Sequence, residues 1–171
     1  MIKRKNNRES HLFDTIQNNP GIQFREIMRH SGFKNGVLSH HLGKLEKKGS
    51  VKVERKPRQT RYYSVQITEG QAKIAKALRR DTPRKIIHSL MLKDKLKFSE
   101  IVQQVSKSPS TVSIYLSQLV DEKIVAVTLD LGRKKRYHLT DKPTADKLIE
   151  DYMPGFLERP VSGFEDIIGS L

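Results

Sequence analysis

The sequence predicts a mainly helical α+β chain built from two copies of one small module, each made of three helices closed by a β-hairpin, with a helix joining the copies. Three observations predict it. First, sliding the chain against itself by 74 residues gives an ungapped match with nine identities: Phe24/Phe98, Glu26/Glu100, Ile27/Ile101, Ser39/Ser113, Leu42/Leu116, Leu45/Leu119, Val51/Val125, Val53/Val127 and Tyr63/Tyr137. Second, the apolar matches recur at the three- and four-residue spacing of a helix with one buried stripe. Third, each copy ends in two short alternating segments separated by a polar, cationic turn.

In the first copy, Leu12, Phe13 and Ile16 mark a helix face, and Pro20-Gly21 ends that helix. Phe24, Ile27 and Met28 mark a short second helix that stops near Ser31-Gly32. The third helix runs from about Asn35 to Lys48, with Leu38, Leu42 and Leu45 on one stripe. Gly49 stands where a helix end commonly takes a left-handed residue. Val51 and Val53 then alternate with Lys52 and Glu54 as a half-buried strand, residues 56–60 form a turn, and Tyr62 to Ile67 return as the second strand.

The connecting segment, Glu69 to Arg80, has good helix formers and apolar Ala72, Ile74, Ala75 and Leu78. In the second copy, Thr82 before Pro83 reads as an N-cap followed by proline at the first helical position. Ile86, Ile87, Leu90 and Met91 give its first helix a face, and Phe98, Ile101, Val102 and Val105 its second. Ser108-Pro109 opens the third, with Val112, Leu116 and Leu119 inward. Val125, Val127 and Leu129 form a strand, residues 132–136 the turn, and Tyr137 to Leu139 the return. One more helix is expected from Ala145 to Met153. The expected divisions are therefore 1–67, a connecting helix at 68–81, 82–140, and a tail at 141–171, in which Pro154 to Leu171 is apolar but irregular.

Charge narrows the function. The 171 residues hold 33 Lys plus Arg against 19 Asp plus Glu, a formal charge of +14. Residues 1–64 carry +10, 65–80 carry +3, 81–140 carry +5 and 141–171 carry −4. This excess points to a polyanionic partner, concentrated on the first third of the chain. The absence of Cys excludes disulfides, thiolate metal sites and a Cys nucleophile. No apolar run is long enough to cross a bilayer, and the basic start MIKRKNNRES has no apolar stretch behind it, so a cytoplasmic, nucleoid-associated protein is expected.

Three helices followed by a hairpin, with a tight turn between the second and third helices, is the order of a winged helix-turn-helix. Its third helix can enter a major groove and its hairpin can lie along the backbone or in the minor groove. The stretch PGIQFREIMRHSGFKNGVLSHHLGKLEKKGSVKVERKPRQTRYYSV resembles winged-helix regulators of the ArsR and MarR type, and is most similar to the tandem winged-helix transcription regulators frequent in archaea. The stretch FSEIVQQVSKSPSTVSIYLSQLVDEKIVAVTLDLGRKKRYHLT resembles the same pattern, with its S-x-S-T-V-S entry and Y-x-L-T close. The resemblance covers about residues 10–140 and implies two tandem winged helices and DNA binding.

The residues support the same chemistry. With Leu38, Leu42 and Leu45 inward, the third helix of the first copy turns Gly36, His40, Gly43, Lys44 and Lys47 outward, with Ser39 beside them. Small Gly36 and Gly43 admit a close backbone approach, His40 can donate or accept at a base edge, and Lys44 and Lys47 can reach phosphate or guanine. Lys34 and Asn35 stand at the helix N-terminus, where the dipole favours a phosphate. Arg55, Lys56, Arg58 and Arg61 surround one hairpin tip, and Arg133, Lys134, Lys135 and Arg136 the other. Like charges at a tip repel until a phosphate lies among them, and binding there releases counterions. In the second copy Ser108, Ser110, Thr111 and Gln118 can contact bases or phosphates, and Ile114 a thymine methyl or a protein surface. That helix has no Lys or Arg before Lys123, so the first copy is expected to carry most of the binding energy. Arg4, Lys5 and Arg8 read as a further arm.

Other chemistries fit less well. His40 and His41 point about 100° apart on a helix and, with His30 and Glu46, make a poor chelate, so no metal or other cofactor is expected. Glu26 and Glu100 match between copies but sit on separate small helices, which suits capping better than acid–base catalysis. No phosphate-binding loop, dinucleotide fingerprint or hydrolase elbow is present, so no enzyme is expected. The expected partner is double-stranded DNA, bound by a homodimer or by the two copies acting as a pseudo-dimer. The alternatives are a protein-interaction scaffold and a non-specific chromatin-type binder.

Overall fold

The computed structural model describes residues 2–152, with side chains from Arg8 onward. Elements follow in the order α1 (Ile2–Gln17), β1 (Ile22–Gln23), α2 (Phe24–Ser31), α3 (Asn35–Lys47), β2 (Val51–Lys56), β3 (Gln59–Ser64), α4 (Glu69–Leu78), α5 (Asp81–Leu92), α6 (Phe98–Val105), α7 (Pro109–Asp121), β4 (Val125–Leu129), β5 (Lys135–Leu139) and α8 (Lys142–Tyr152). The described residues fall into two compact units that divide between Ala72 and Lys73. Among the described residues no helix is long and apolar enough to cross a membrane.

In the first unit, Leu12 and Ile16 of α1, Ile27 of α2 and Leu38, Leu42 and Leu45 of α3 bury their side chains in one core with Ile22, Val51 and Tyr62. The wing is a three-stranded antiparallel sheet in the order β1-β3-β2. Its shortest strand was not anticipated: Ile22 pairs with Tyr62 and Gln23 with Arg61, which ties the loop before α2 to the wing. The return strand spans Gln59–Ser64 rather than 62–67, because Pro57 and the left-handed Arg58 (φ 63°) turn the chain in two residues. Arg4, Lys5 and Arg8 lie within α1, so the expected arm is helix instead.

The second unit buries Ile86, Ile87 and Leu90 of α5, Ile101 and Val105 of α6, and Val112, Leu116 and Leu119 of α7. Ile74, Ala77 and Leu78 of α4 and Ala145, Leu148 and Ile149 of α8 join the same core. The connecting helix is thus no free linker, since its C-terminal half packs into the second unit. Helix α5 starts at Asp81, so Thr82 is not its N-cap but a buried residue of its first turn. Helix α8 ends at Tyr152. Pro154 to Leu171 lie outside the described residues.

The register corrects the repeat at one point. Val53 faces Tyr62 in the first wing, and Val127 faces Tyr137 in the second. Leu96 bridges to Tyr137 as Ile22 pairs with Tyr62. The 74-residue offset therefore becomes 75 after the wing tip, where the second turn holds one extra residue net. Tyr137 is the partner of Tyr62, not Tyr63, and Arg136 is the partner of Arg61. The helix ends correspond without a gap: Gly49 (φ 68°) and Lys123 (φ 61°) both take the left-handed conformation that closes the third helix. The matched glutamates also do one job, each accepting a hydrogen bond at 2.7 Å from the backbone N–H three residues earlier, Gln23 for Glu26 and Lys97 for Glu100.

Candidate nucleic-acid interface

Helix α3 presents Gly36, Ser39, His40 and Lys47 to solvent, with Lys44 and Gly43 half exposed. A Cβ built on Gly36 or Gly43 meets nothing within 4 Å, so the outer surface of the helix is bare backbone at two positions seven residues apart. Lys34 is the N-cap residue and makes no side-chain cap. Asn35 Oδ1 accepts a hydrogen bond from Ser39 Oγ at 3.2 Å.

The opposite flank of α3 is anchored to α1. Glu9 accepts a hydrogen bond from Lys48 Nζ and lies 3.6 Å from His41 Nδ1 and 3.8 Å from Lys44 Nζ. Lys48, aided by Lys44 and His41, holds the Glu9 carboxyl below the usual carboxylate range against the opposing effect of burial. His41 is buried and its ring meets Phe33 at 6.4 Å, while Arg8 sits over the same Phe33 ring at 5.8 Å. His40 remains exposed, edge-on to His41 at 5.4 Å.

The four wing cations of the first unit are not equivalent. Arg58 is exposed at the tip. Arg55 spans from the wing to α3 and donates from both terminal nitrogens to Glu46 at 2.7 Å each. That pairing lowers the Glu46 carboxyl and raises the Arg55 guanidinium. Lys56 lies 3.2 Å from Glu54. Arg61 departs from expectation: it is only 4% exposed and donates from Nη1 to the Gly21 carbonyl at 2.7 Å. Alternation puts it on the sheet face opposite the core-facing Tyr62, where it fastens the loop before β1.

Arg136 is engaged as well, though half-buried rather than buried. It donates from Nε and Nη2 to Asp130 Oδ2 at 3.0 and 2.9 Å and lies 3.7 Å from Glu100. Asp130 also accepts from the backbone N–H groups of Gly132 and Lys134, and these bonds with Arg136 keep its carboxyl below the usual range. Arg133 (φ 56°), Lys134 and Lys135 are exposed at that tip.

On α7, Ser108 is the N-cap; its hydroxyl accepts from the Thr111 N–H at 3.3 Å and bonds to the hydroxyls of Ser110 and Thr111 at 3.1 and 2.8 Å. Ile114 is 58% exposed. Gln118 accepts from Arg80 Nη1 at 3.4 Å, and the Arg80 guanidinium lies over Tyr115 at 4.7 Å from the ring centre. Arg80 is a member of this face that periodicity on α7 does not reveal. It comes from the segment before α5 and supplies a cation that α7 itself lacks; the Arg79-Arg80 pair at the module boundary was the available signal. Among the described residues no group of three or more His, Asp or Glu side chains is placed to hold a metal ion.

Two helix-turn-helix units, each closed by a hairpin whose tip carries exposed cations, define the class as a tandem winged-helix protein. A family model described as "N-terminal HTH domain" matches residues 6–73, and one described as "Bacterial regulatory protein, arsR family" matches residues 80–127. Both matched segments are helix-turn-helix domains, and the chain is a tandem winged helix-turn-helix DNA-binding transcription regulator whose second unit is similar to the arsR family. No curated protein matches it in sequence. Among solved structures it is similar to a MarR-family transcriptional regulator from Silicibacter pomeroyi, with 18% identity over 58% of this chain and 74% of that one (TM-score 0.40). It is also similar to Bordetella bronchiseptica BpsR, whose DNA binding is regulated by 6-hydroxynicotinic acid, with 18% identity over 82% and 84% (TM-score 0.40). A third is Staphylococcus aureus MepR, a transcription regulator of the multidrug efflux pump MepA, with 19% identity over 81% and 85% (TM-score 0.36).

Proposed function

We propose that the chain is a sequence-specific regulator in which α3 of the first unit reads the major groove of duplex DNA and the β2–β3 wing holds the backbone or minor groove. The observation that carries this reading is the outer face of α3, where Gly36 and Gly43 leave bare backbone around His40 and Lys47. A helix with no side-chain obstacle at two turns can sit deep in a groove. His40 and Lys47 then meet base edges or phosphates, Lys34 and Asn35 meet phosphate at the helix N-terminus, and Ser39 and Lys44 flank the contact. Arg58 lies on the backbone, and Arg55 and Lys56 add charge behind it.

The second unit contributes less. Its α7 face offers Ser110, Thr111, Ile114 and Gln118 without a cation of its own, and Ser108 is occupied as a cap. Arg133, Lys134 and Lys135 supply a second backbone contact. The reaction scheme holds no catalytic step and no cofactor, and the site of action is the nucleoid. Two readers arise either from a homodimer on half-sites about 34–36 Å apart or from the two units of one chain; light scattering on the DNA complex separates these.

Selection of bound duplexes from a random pool tests the reading. A recovered consensus that competes at least about a thousandfold better than random duplex is the expected result. Equal competition by random duplex refutes sequence-specific recognition.

A further inference from the structure

The two units differ most at the seam between third helix and wing. In the first, Glu46 and Arg55 close that seam with two hydrogen bonds of 2.7 Å. Seventy-four residues on, the same positions hold Val120 and Leu129. There the seam is an open cleft of about 210 Å³, lined among others by Leu116, Ser117 and Val120 of α7 and by Val127, Lys135 and Tyr137 of the wing. The same two elements carry further exposed apolar side chains, Ile114 (58%) on α7 and Leu129 (62%) and the fully exposed Leu131 on the wing. Asp121 faces the cleft where the first unit has Lys47, which disfavours a phosphate. Lys135 nevertheless lines it, and Arg133 and Lys134 are exposed on the same wing tip.

We propose that this cleft docks the chain's own C-terminal segment, residues 156–171. The segment has the complementary composition. It carries seven apolar side chains (Phe156, Leu157, Val161, Phe164, Ile167, Ile168 and Leu171) and the carboxylates Glu158, Glu165 and Asp166 against one cation, Arg159. Its apolar residues match the lining Leu116, Val120 and Val127 and the exposed apolar side chains beside them, and its carboxylates match Lys135 and the exposed cations of the same wing tip. Reach is no obstacle. Residues 153–171 extend to about 60 Å at ~3.3 Å per residue, several times the ~13 Å radius of gyration of a 100-residue domain. Tethering to the end of α8, in the same unit as the cleft, also gives the segment a high effective concentration over any free competitor. The inference goes beyond DNA recognition by the first unit and stands without it.

The chain has no cysteine, so a single nitroxide label is placed cleanly. Ser113→Cys puts it on an exposed α7 residue that lines the cleft. In the full-length isotope-labelled chain, the amide signals of residues 156–171 are expected to lose most of their intensity when the label is oxidised and to recover it on reduction. Leu131→Asp, a change at a fully exposed residue that leaves the core untouched, is expected to restore the signals. A mixture of nitroxide-labelled unenriched chain with isotope-enriched unlabelled chain is expected to show no loss. Loss in that mixture assigns the cleft to a second copy and overturns the proposal; full intensity in the singly labelled chain, or no effect of Leu131→Asp, overturns it as well.

Discussion

Arg58 and Arg61 stand three residues apart on one wing, and replacing each should produce opposite phenotypes. Arg61 is 4% exposed and donates to the Gly21 carbonyl at 2.7 Å. Arg61→Met keeps most of the stem but leaves that carbonyl without the guanidinium. A hydrogen bond from a charged group contributes about 1.5–3 kcal/mol, so a loss of roughly 2 kcal/mol is expected. In a unit of this size each kcal/mol moves the melting temperature by about 4–8 °C, which gives a drop of about 8–16 °C. Arg58 is exposed at a tip where surface changes are worth within about 0.5 kcal/mol, so Arg58→Gln leaves melting nearly unchanged. Its effect belongs on DNA. One phosphate contact contributes about 0.9 to the slope of log affinity against log salt, which amounts to about eightfold in affinity at 0.1 M. Thermal unfolding and fluorescence anisotropy across a salt series read both quantities on the same two variants. An unchanged slope for Arg58→Gln, or a lost slope with unchanged melting for Arg61→Met, would refute the division of labour drawn between them.

Gly43→Ala adds a methyl group that meets nothing within 4 Å in the free protein and removes a helix-interior glycine. It should raise stability by up to about 1 kcal/mol while weakening operator binding about tenfold, ~1.4 kcal/mol, because the groove wall then meets a side chain; denaturant titration and anisotropy must move in opposite directions. Reversing Arg58 to Glu should weaken binding more than reversing Lys134 and Lys135 together, and equal losses in the same titration would remove the ranking of the two wings. Glu9 is held below its ordinary range by Lys48, so its ionised form stabilises the fold above the unfolded carboxylate value and that contribution is lost as pH falls through the lowered folded value. The melting-temperature gap between wild type and Glu9→Gln should be present at neutral pH and close below about pH 4; a gap that persists in acid would place Glu9's role elsewhere.

The helices were legible because burial leaves a periodic trace. Leu38, Leu42 and Leu45, with Val112, Leu116 and Leu119, predicted both third helices to within a residue. The wings were legible as strands but not in register. Tyr62-Tyr63 offers two tyrosines to one Tyr137, and an ungapped comparison takes the wrong one; only backbone pairing with Ile22 and Leu96 decides. Strand β1 is two residues long and carries no period at all. Two of the tip arginines were hidden by their partners rather than by a period. Arg61 and Arg136 look like tip cations in a run of cations, yet each is held by an acceptor that the run does not contain, the Gly21 carbonyl for one and Asp130 for the other. The left-handed Lys123 and Ser106 were illegible for a different reason: a non-glycine residue there advertises nothing, whereas Gly49 and Gly32 do.

Positions 46 and 55 are coupled by physics, and the equivalent positions 120 and 129 are both apolar. Leaving Glu46 beside a leucine strands a carboxylate against apolar surface, and leaving Arg55 beside a valine strands a guanidinium. Each intermediate loses the pairing without gaining burial. The two changes therefore make sense only together, and together they alter what the seam can face. A charged pair keeps its residual hydration and lies comfortably beside phosphates. An apolar pair exposed at 62% on Leu129 gains nothing from a phosphate and gains hydrophobic free energy only when another apolar surface covers it. The sharing of a core pattern at Leu42/Leu116 and Leu45/Leu119 preserves one scaffold in both units. On the reading proposed above, the exchange of an ion pair for apolar residues at the seam suits the first unit's seam to nucleic acid and the second unit's seam to polypeptide, while the cations of both wing tips stay available to phosphate.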